Sequence, residues 1–321
     1  MSFKENQGVD ASIIRPQVTP ALLPYAIALI EASRLPRPLV GSSVMALLNK
    51  LYSRPDRRAA CVLQLPTGIV QQINNTYDAM DAMATDFAAC ALNRISPRGR
   101  ATLTSVPLSP AEHFRFCRAF YRVELFYTLS QCRKFADYTN RWFFWRHPPW
   151  ENEQLGCVDR YIGTRLDQAL AESHRDEVEV HEQDKIEDYE LRSSWLSQGV
   201  EFIYNLANTP SPKAKRSILA AGIHASFCNK SYTLELSDAL IGVYGDGEDF
   251  YQRCESVTLH QYGQPNDEDI DSGPYQAWRT ENAGSRVAES FLLSADWLRD
   301  CAYVFWDSDR VQKMGRLGKR V

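Results

Sequence analysis

The chain has 321 residues, 44% hydrophobic and 24% charged, with a formal net charge of −4. This usage matches ordinary globular domains and excludes a disordered, collagen-like or coiled-coil class for the bulk of the chain. Asp and Glu outnumber Lys and Arg by 40 to 36, so no global basic field exists to draw in nucleic acid or an anionic membrane.

The length allows one large domain or two modest ones. The N-terminus, MSFKENQGVD, has no apolar run followed by a cleavage site. The longest apolar stretch, ALLPYAIALI, contains Pro24 and is too short to span a bilayer. Eight cysteines are scattered with no two closer than fifteen positions, so no CxxC zinc or redox motif is present. Cys90, Cys117 and Cys157 fall on helical patterns and read as small buried hydrophobes in a reducing compartment. Cytoplasm or nucleus is the address these features imply.

Residues 1–18 are polar and aperiodic and read as a flexible arm. Thr19 is expected to cap a first helix with Pro20 at its first position, where a missing N–H costs nothing. Leu22, Leu23, Ala26, Ile27 and Ile30 form its apolar stripe. A second helix starts at Ser42 or Ser43 and buries Val44, Leu47, Leu48 and Leu51. The longest pattern, from Ile69 through Ile73, Tyr77, Met80, Ala84 and Phe87 to Ala91, predicts a helix over 67–94 that ends before Ser96-Pro97-Arg98-Gly99. Ser109-Pro110-Ala111-Glu112 is a capping box, in which the Ser hydroxyl and the Glu carboxylate each satisfy a backbone N–H. The helix behind it, Phe114 to Leu129, is apolar nearly all round and belongs at the centre of the fold.

Trp142-Phe143-Phe144-Trp145 and Pro148-Pro149-Trp150 follow, then a helix with Leu155, Val158, Ile162 and Leu166 on one face. The acidic stretch at about 172–190 reads as a surface segment and a possible lobe boundary. Helical spacing restarts at Leu191, and Ser211-Pro212 opens another helix with Ile218, Leu219 and Ile223. Between 230 and 262 helix and strand patterns coexist. Pro274 and Trp278 begin a short helix, and 287–306 carries two apolar stripes, the second running Trp297, Leu298, Cys301, Val304, Phe305. Gly315 can close the last helix before a basic tail at 316–321. With no βαβ alternation and no fixed-period repeat, the expectation is an all-α, irregular multi-helix globular domain over 19–315 with little or no sheet.

No phosphate-cradling loop, GxSxG elbow, HExxH or kinase-type catalytic loop occurs, and no motif implies a cofactor. Three constellations carry possible chemistry. His174, Glu177 and His181 would share one face if 172–185 were helical, and two imidazoles with a carboxylate can hold a divalent metal. A solvated acidic face explains them better, because few apolar residues are there to support a site. Asp267-Glu268-Asp269-Ile270-Asp271-Ser272-Gly273 resembles a calcium loop but has its Gly one position late and Trp278 where the final Glu belongs, so an Asp-rich turn is expected. Arg141, Trp142, Trp145, Arg146 and Trp150 interleave cations with rings and form the candidate binding surface, with core packing as the competing explanation. Beside them His147, Glu151 and Glu153 are the candidate acid and base residues of a Trp-lined cleft. The basic run Lys213-Ala214-Lys215-Arg216 in a first helical turn opposes the helix dipole, which points to a solvated turn or a nearby anion.

Several blocks in order, LLPYAIALIEASRL, SPAEHFRFCRAFYRVELFYTL, PPWENEQLGCVDRYI, DSGPYQAW and LRDCAYVFWDSDRV, resemble an uncharacterised family of filamentous-ascomycete fungal proteins. Its members carry blocks of the type RALYRFELY, PWENEQL and WGYVFWD, and some are loosely labelled F-box-like. Cys301-Ala302 stands where that family often has Trp-Gly. The resemblance implies an intracellular fungal protein of one continuous domain and implies no activity. The functional expectation is a non-catalytic protein-interaction module or adaptor with a protein partner. The alternative is an enzyme whose acid/base or metal site assembles from remote residues.

Overall fold

The computed structural model describes residues 19–53, 65–95, 107–130, 143–144, 146–173, 185–229, 236–245, 272–282 and 295–314. Of these, 83% are helical, in twelve helices with no strand among them, as the apolar periodicity implies. In chain order the helices are α1 (Leu23–Ser33), α2 (Gly41–Ser53), α3 (Thr67–Ile95), α4 (Pro110–Ser130), α5 (Pro149–Ser173) and α6 (Lys185–Leu196). They continue with α7 (Val200–Asn208), α8 (Pro212–Asn229), α9 (Leu236–Gly245), α10 (Ser272–Asn282), α11 (Ala295–Asp300) and α12 (Ser308–Met314). No described helix is long and apolar enough to cross a membrane.

The expected stripe of α2 is buried from Val44 to Leu51, and that of α3 from Ile73 to Ala91, with Ile69 at its start half-buried. The start of α1 differs from the expectation. Its first residue is Leu23 and no side chain caps it; a turn closed by the Leu22 N–H on the Thr19 carbonyl precedes it. Pro24 then sits in the first turn, so proline still occupies a position where no amide donor is needed. Helix structure also reaches into the acidic stretch, since α5 continues to Ser173 and α6 begins at Lys185.

Helices α4 and α5 together form the hub. Helix α4 packs against α1, α3, α5, α7 and α9, while α5 meets α4 and the helices from α6 to α11. Phe116 and Phe120 of α4 join Phe87 of α3, Tyr161 of α5 and Phe305 in one ring cluster, with Phe116 and Phe305 stacked at 4.1 Å. Such pairs add about 0.5–1.5 kcal/mol each beyond their burial.

Residues 301–306 correct the reading of a second helical stripe there. Helix α11 stops at Asp300, and the chain turns through Ala302, whose φ is +50°, in the left-handed region. All six residues are buried. A buried turn must find partners for its backbone carbonyls, and side chains supply them. Arg115 donates to the Phe305 carbonyl at 2.8 Å, Gln154 to Val304 at 2.9 Å and the Trp306 indole to Cys301 at 2.9 Å.

One carboxylate fastens this segment. The Ser109–Glu112 capping box forms in both directions, with the Glu112 N–H donating to Ser109 Oγ at 3.1 Å and the Ser109 N–H to Glu112 Oε2 at 3.0 Å. Glu112 also accepts the Asp307 N–H at 3.1 Å and takes Arg310 bidentately, both at 2.7 Å. Arg115 pairs with Asp307 alongside. Glu112→Ala would leave the Arg310 guanidinium buried without its counter-charge, and the expected cost is about 3–5 kcal/mol in urea unfolding. Glu112→Ala combined with Arg310→Met should recover most of it, because the orphaned charge goes as well. A single-variant loss below about 1 kcal/mol would show that the pair is not what holds the segment.

A second fixed point lies at Gly199, with φ +91° and ψ −177°. The Val200 N–H at the start of α7 donates to the Glu124 carboxylate of α4, and a Cβ on Gly199 would collide with that carboxylate. Gly199→Ala should destabilise by about 1–3 kcal/mol. Part of that loss should persist in a Glu124→Ala background, where the collision is gone and the backbone strain remains.

Candidate functional site

Two of the three candidate acid/base residues meet. His147 sits in the turn before α5 and Glu151 one helical turn later, so His147 Nδ1 lies 2.7 Å from Glu151 Oε2. Arg118 and Arg122 of α4 complete the group, with Arg118 Nη1 3.1 Å from Glu151 Oε1 and Arg122 Nη1 3.7 Å from Oε2. Arg122 also donates to the Glu151 carbonyl and to Asn152 Oδ1, both at 3.1 Å. Burial, helped by the Arg122 charge, pushes the His147 imidazole down to about 4 against the pull of Glu151. Burial works to raise Glu151, but Arg118, the bond from His147 and Arg122 outweigh it and hold the carboxyl well below the usual range. The imidazole is therefore neutral at pH 7. The Glu151 contact assigns its proton to Nδ1, which leaves Nε2 as the acceptor.

That Nε2 is enclosed. It is buried without a hydrogen-bond partner, and the ring meets Tyr52 of α2 edge-on at 5.0 Å. The Tyr52 hydroxyl is likewise buried and unpartnered. A general base must reach the proton it removes; here the electronic arrangement of a base exists behind a tyrosine.

Glu153 does not join them. Two positions beyond Glu151 it faces away from His147, toward α11, where Arg299 holds it bidentately at 2.9 and 3.2 Å. Of the candidate binding surface, Arg146 and Trp150 are described and both are half-buried. Arg146 lies 5.5 Å over the Tyr52 ring and donates to Asn49. Trp150 packs on Tyr275 at 5.0 Å and Trp278 at 6.4 Å, linking α5 to α10. Between the candidate residues, Phe143 and Phe144 are fully buried against Phe126. Arg141, Trp142 and Trp145 lie outside the described residues, as do His174, Glu177, His181 and the Asp267–Asp271 stretch.

The basic run at 213–216 finds its anion inside the molecule. Lys215 is buried and pairs with Glu172, and Arg216 donates to the Ser173 carbonyl at 2.7 Å. Both sit at the C-terminus of α5, the end of a helix that favours cations.

One cluster escaped the sequence reading. His113 and Cys117 lie one turn apart on α4 and face Asp81 of α3. His113 Nε2 is 2.6 Å from Asp81 Oδ1 and 3.6 Å from Cys117 Sγ. All three ligand atoms lie within 4.8 Å of one another. Burial and the neighbouring Asp81 charge raise the Cys117 thiol, so it is a neutral S–H rather than an exposed nucleophile. Spacing alone could have flagged the His-x-x-x-Cys pair; Asp81 could be added only by the packing of α3 on α4.

No protein-family model, curated protein or solved structure matches the chain.

The His147 environment sets a pH dependence. Its folded pKa of about 4 lies below the ordinary 6.5, so the unfolded chain takes up a proton that the folded chain refuses. Stability is therefore complete above pH 6.5 and declines as pH falls toward 4. Glu151, held low, extends the same trend into more acid conditions. Urea unfolding across this range should show the slope in the native chain, and His147→Phe should flatten it. An NMR titration placing His147 near 6.5 would contradict this account.

Proposed function

We propose that this chain is a non-catalytic protein-interaction module, an adaptor, in the cytoplasm or nucleus of a filamentous fungus. The observation that carries the reading is that the ionisable groups of its centre are engaged with one another. Glu112 holds Arg310, Glu151 holds Arg118 and Arg122, and Glu153 holds Arg299. The unpartnered Nε2 of His147 is enclosed. A framework fixed this way suits presentation of a constant surface. The fungal kinship draws support from Ala302, whose left-handed φ falls where the similar blocks carry Gly.

The surface we assign to the partner is the α1–α2 connection. Helix α1 itself is enclosed, with eight of its eleven residues buried. Beside it, Pro36, Arg37 and Pro38 are exposed, and Val40, at 56%, is the exposed large hydrophobic residue among those described.

A second reading has one specific observation in its favour. His147 and Glu151 are arranged as base and orienter, and displacement of Tyr52 would open Nε2 to a substrate.

Cross-linking followed by mass spectrometry in a filamentous-ascomycete extract tests the adaptor reading. The native chain should recover one partner near stoichiometry, and Val40→Asp should reduce that recovery severalfold with an unchanged thermal unfolding curve. A chain that stays partnerless at micromolar concentration counts against it. Diethylpyrocarbonate separates the two readings, since His147 should be protected in the adaptor and rapidly modified in an enzyme with an opening site.

A further inference from the structure

We propose that Asp81, His113 and Cys117 form a binding site for one divalent ion of the zinc class. The proposal stands on geometry and donor chemistry and does not rest on the adaptor reading. The trio offers one carboxylate oxygen, one imidazole nitrogen and one sulfur, a mixture that suits zinc and neighbouring transition ions and does not suit magnesium or calcium, which prefer oxygen alone. Three protein ligands with a fourth position left for water is a recurrent zinc arrangement.

The distances agree with this use. With Zn–N and Zn–S bonds of about 2.1 and 2.3 Å, a tetrahedral angle separates nitrogen from sulfur by roughly 3.6 Å. The observed His113 Nε2 to Cys117 Sγ distance is 3.6 Å. Nitrogen and oxygen ligands in the same geometry lie roughly 3.4 Å apart, whereas His113 and Asp81 are 2.6 Å apart and share a hydrogen bond. The ion replaces that hydrogen bond, and a side-chain rotation that widens one contact by under an ångström admits it.

Charge and access fit as well. On binding, the His113 Nε2–H bond that serves Asp81 and the Cys117 S–H bond both break. Solvent carries the imidazole proton from Nε2 to Nδ1, the thiol proton passes to solvent, and the freed lone pairs on Nε2 and sulfur go to the metal. One dication, one thiolate, one carboxylate and one neutral imidazole then sum to zero, so a site walled by buried Tyr77 and Tyr121 holds no net charge. The Tyr121 hydroxyl, one turn beyond Cys117, is buried without a hydrogen-bond partner. Cys117 forms the floor, fully buried, while His113 and Asp81 are 26% and 42% exposed, which leaves the fourth position toward solvent. Because the ligands come from α3 and α4, the ion also cross-links these two helices.

The test uses the full chain, with cobalt(II) as the spectroscopic probe and zinc(II) as competitor. The expected result is one cobalt per chain with a sulfur-to-cobalt charge-transfer band, displaced by one equivalent of zinc. Cys117→Ser should abolish the band, and Asp81→Asn should weaken zinc binding by at least the 10–100-fold typical of losing a supporting group. Far-UV circular dichroism confirms that each variant folds. Cys90→Ala, a half-buried thiol elsewhere on α3, should change nothing. Absence of the band in the native chain, retention of it in Cys117→Ser, or its loss in Cys90→Ala would each overturn the assignment and reduce the trio to a hydrogen-bonded contact between helices.

Discussion

The fold depends on one carboxylate that performs two tasks. Glu112 begins α4 as half of a capping box, and the same two oxygens accept a backbone N–H and a bidentate guanidinium from the C-terminal segment. Buried ion pairs gain little net stability when their lone pairs are left unfilled. Here four donors converge on one carboxylate, so its desolvation is matched on every side. The start of the central helix and the end of the described chain are thereby fixed to a single point, and the buried turn at 301–306 is held between them.

The same logic runs along α4. Arg115, Arg118 and Arg122 are all buried on a helix that otherwise carries Phe, Tyr, Leu and Val. Each guanidinium reaches out of the ring cluster: Arg115 to the Phe305 carbonyl and Asp307, Arg118 to Glu151 and Gln154, Arg122 to the same Glu151 and Asn152. Arginine suits this position because its planar donors are fixed and its charge is weakly hydrated. The apolar cluster drives association of the helices, and the arginines set which carbonyls and carboxylates they meet. Register, rather than bulk stability, is what the charged residues contribute.

What was legible in the sequence follows from range. The Ser109–Glu112 box was readable because both hydrogen bonds close within one helical turn. The other half of Glu112's partners lies nearly two hundred positions away and leaves no local trace. Helical spacing located α2 and α3 nearly to the residue, yet it misread 301–306. A buried turn and a buried helix are both apolar, and Ala302 in a left-handed conformation does not disturb that pattern. Glu153 shows a subtler failure. Successive helical positions rotate by about 100°, so a residue two beyond Glu151 must face elsewhere, and grouping the two acids ignored that rotation. His113 and Cys117 had the right spacing, but Cys117 was absorbed into the core stripe and His113, just ahead of it, was left unread, because their third member belongs to another helix.

The two histidines of this region show how environment, not residue type, assigns chemistry. Both are placed beside a carboxylate, at 2.7 Å for His147 and 2.6 Å for His113, and both adjoin α4 or lie on it. His147 shares its carboxylate with two guanidiniums, its remaining nitrogen is buried, and its ring meets the half-buried Tyr52 edge-on. Burial, with positive charge already in surplus, refuses a proton there and would repel a metal ion. Among the described residues no such cation joins His113; it stands between a carboxylate and a thiol, with solvent on one side. An arriving dication meets two groups able to become or remain anionic and no competitor for them. Burial and the Arg118–Arg122 pair thus make one imidazole architectural, and among the described residues no such pair stands on the Asp81 side, which leaves the other open to a ligand.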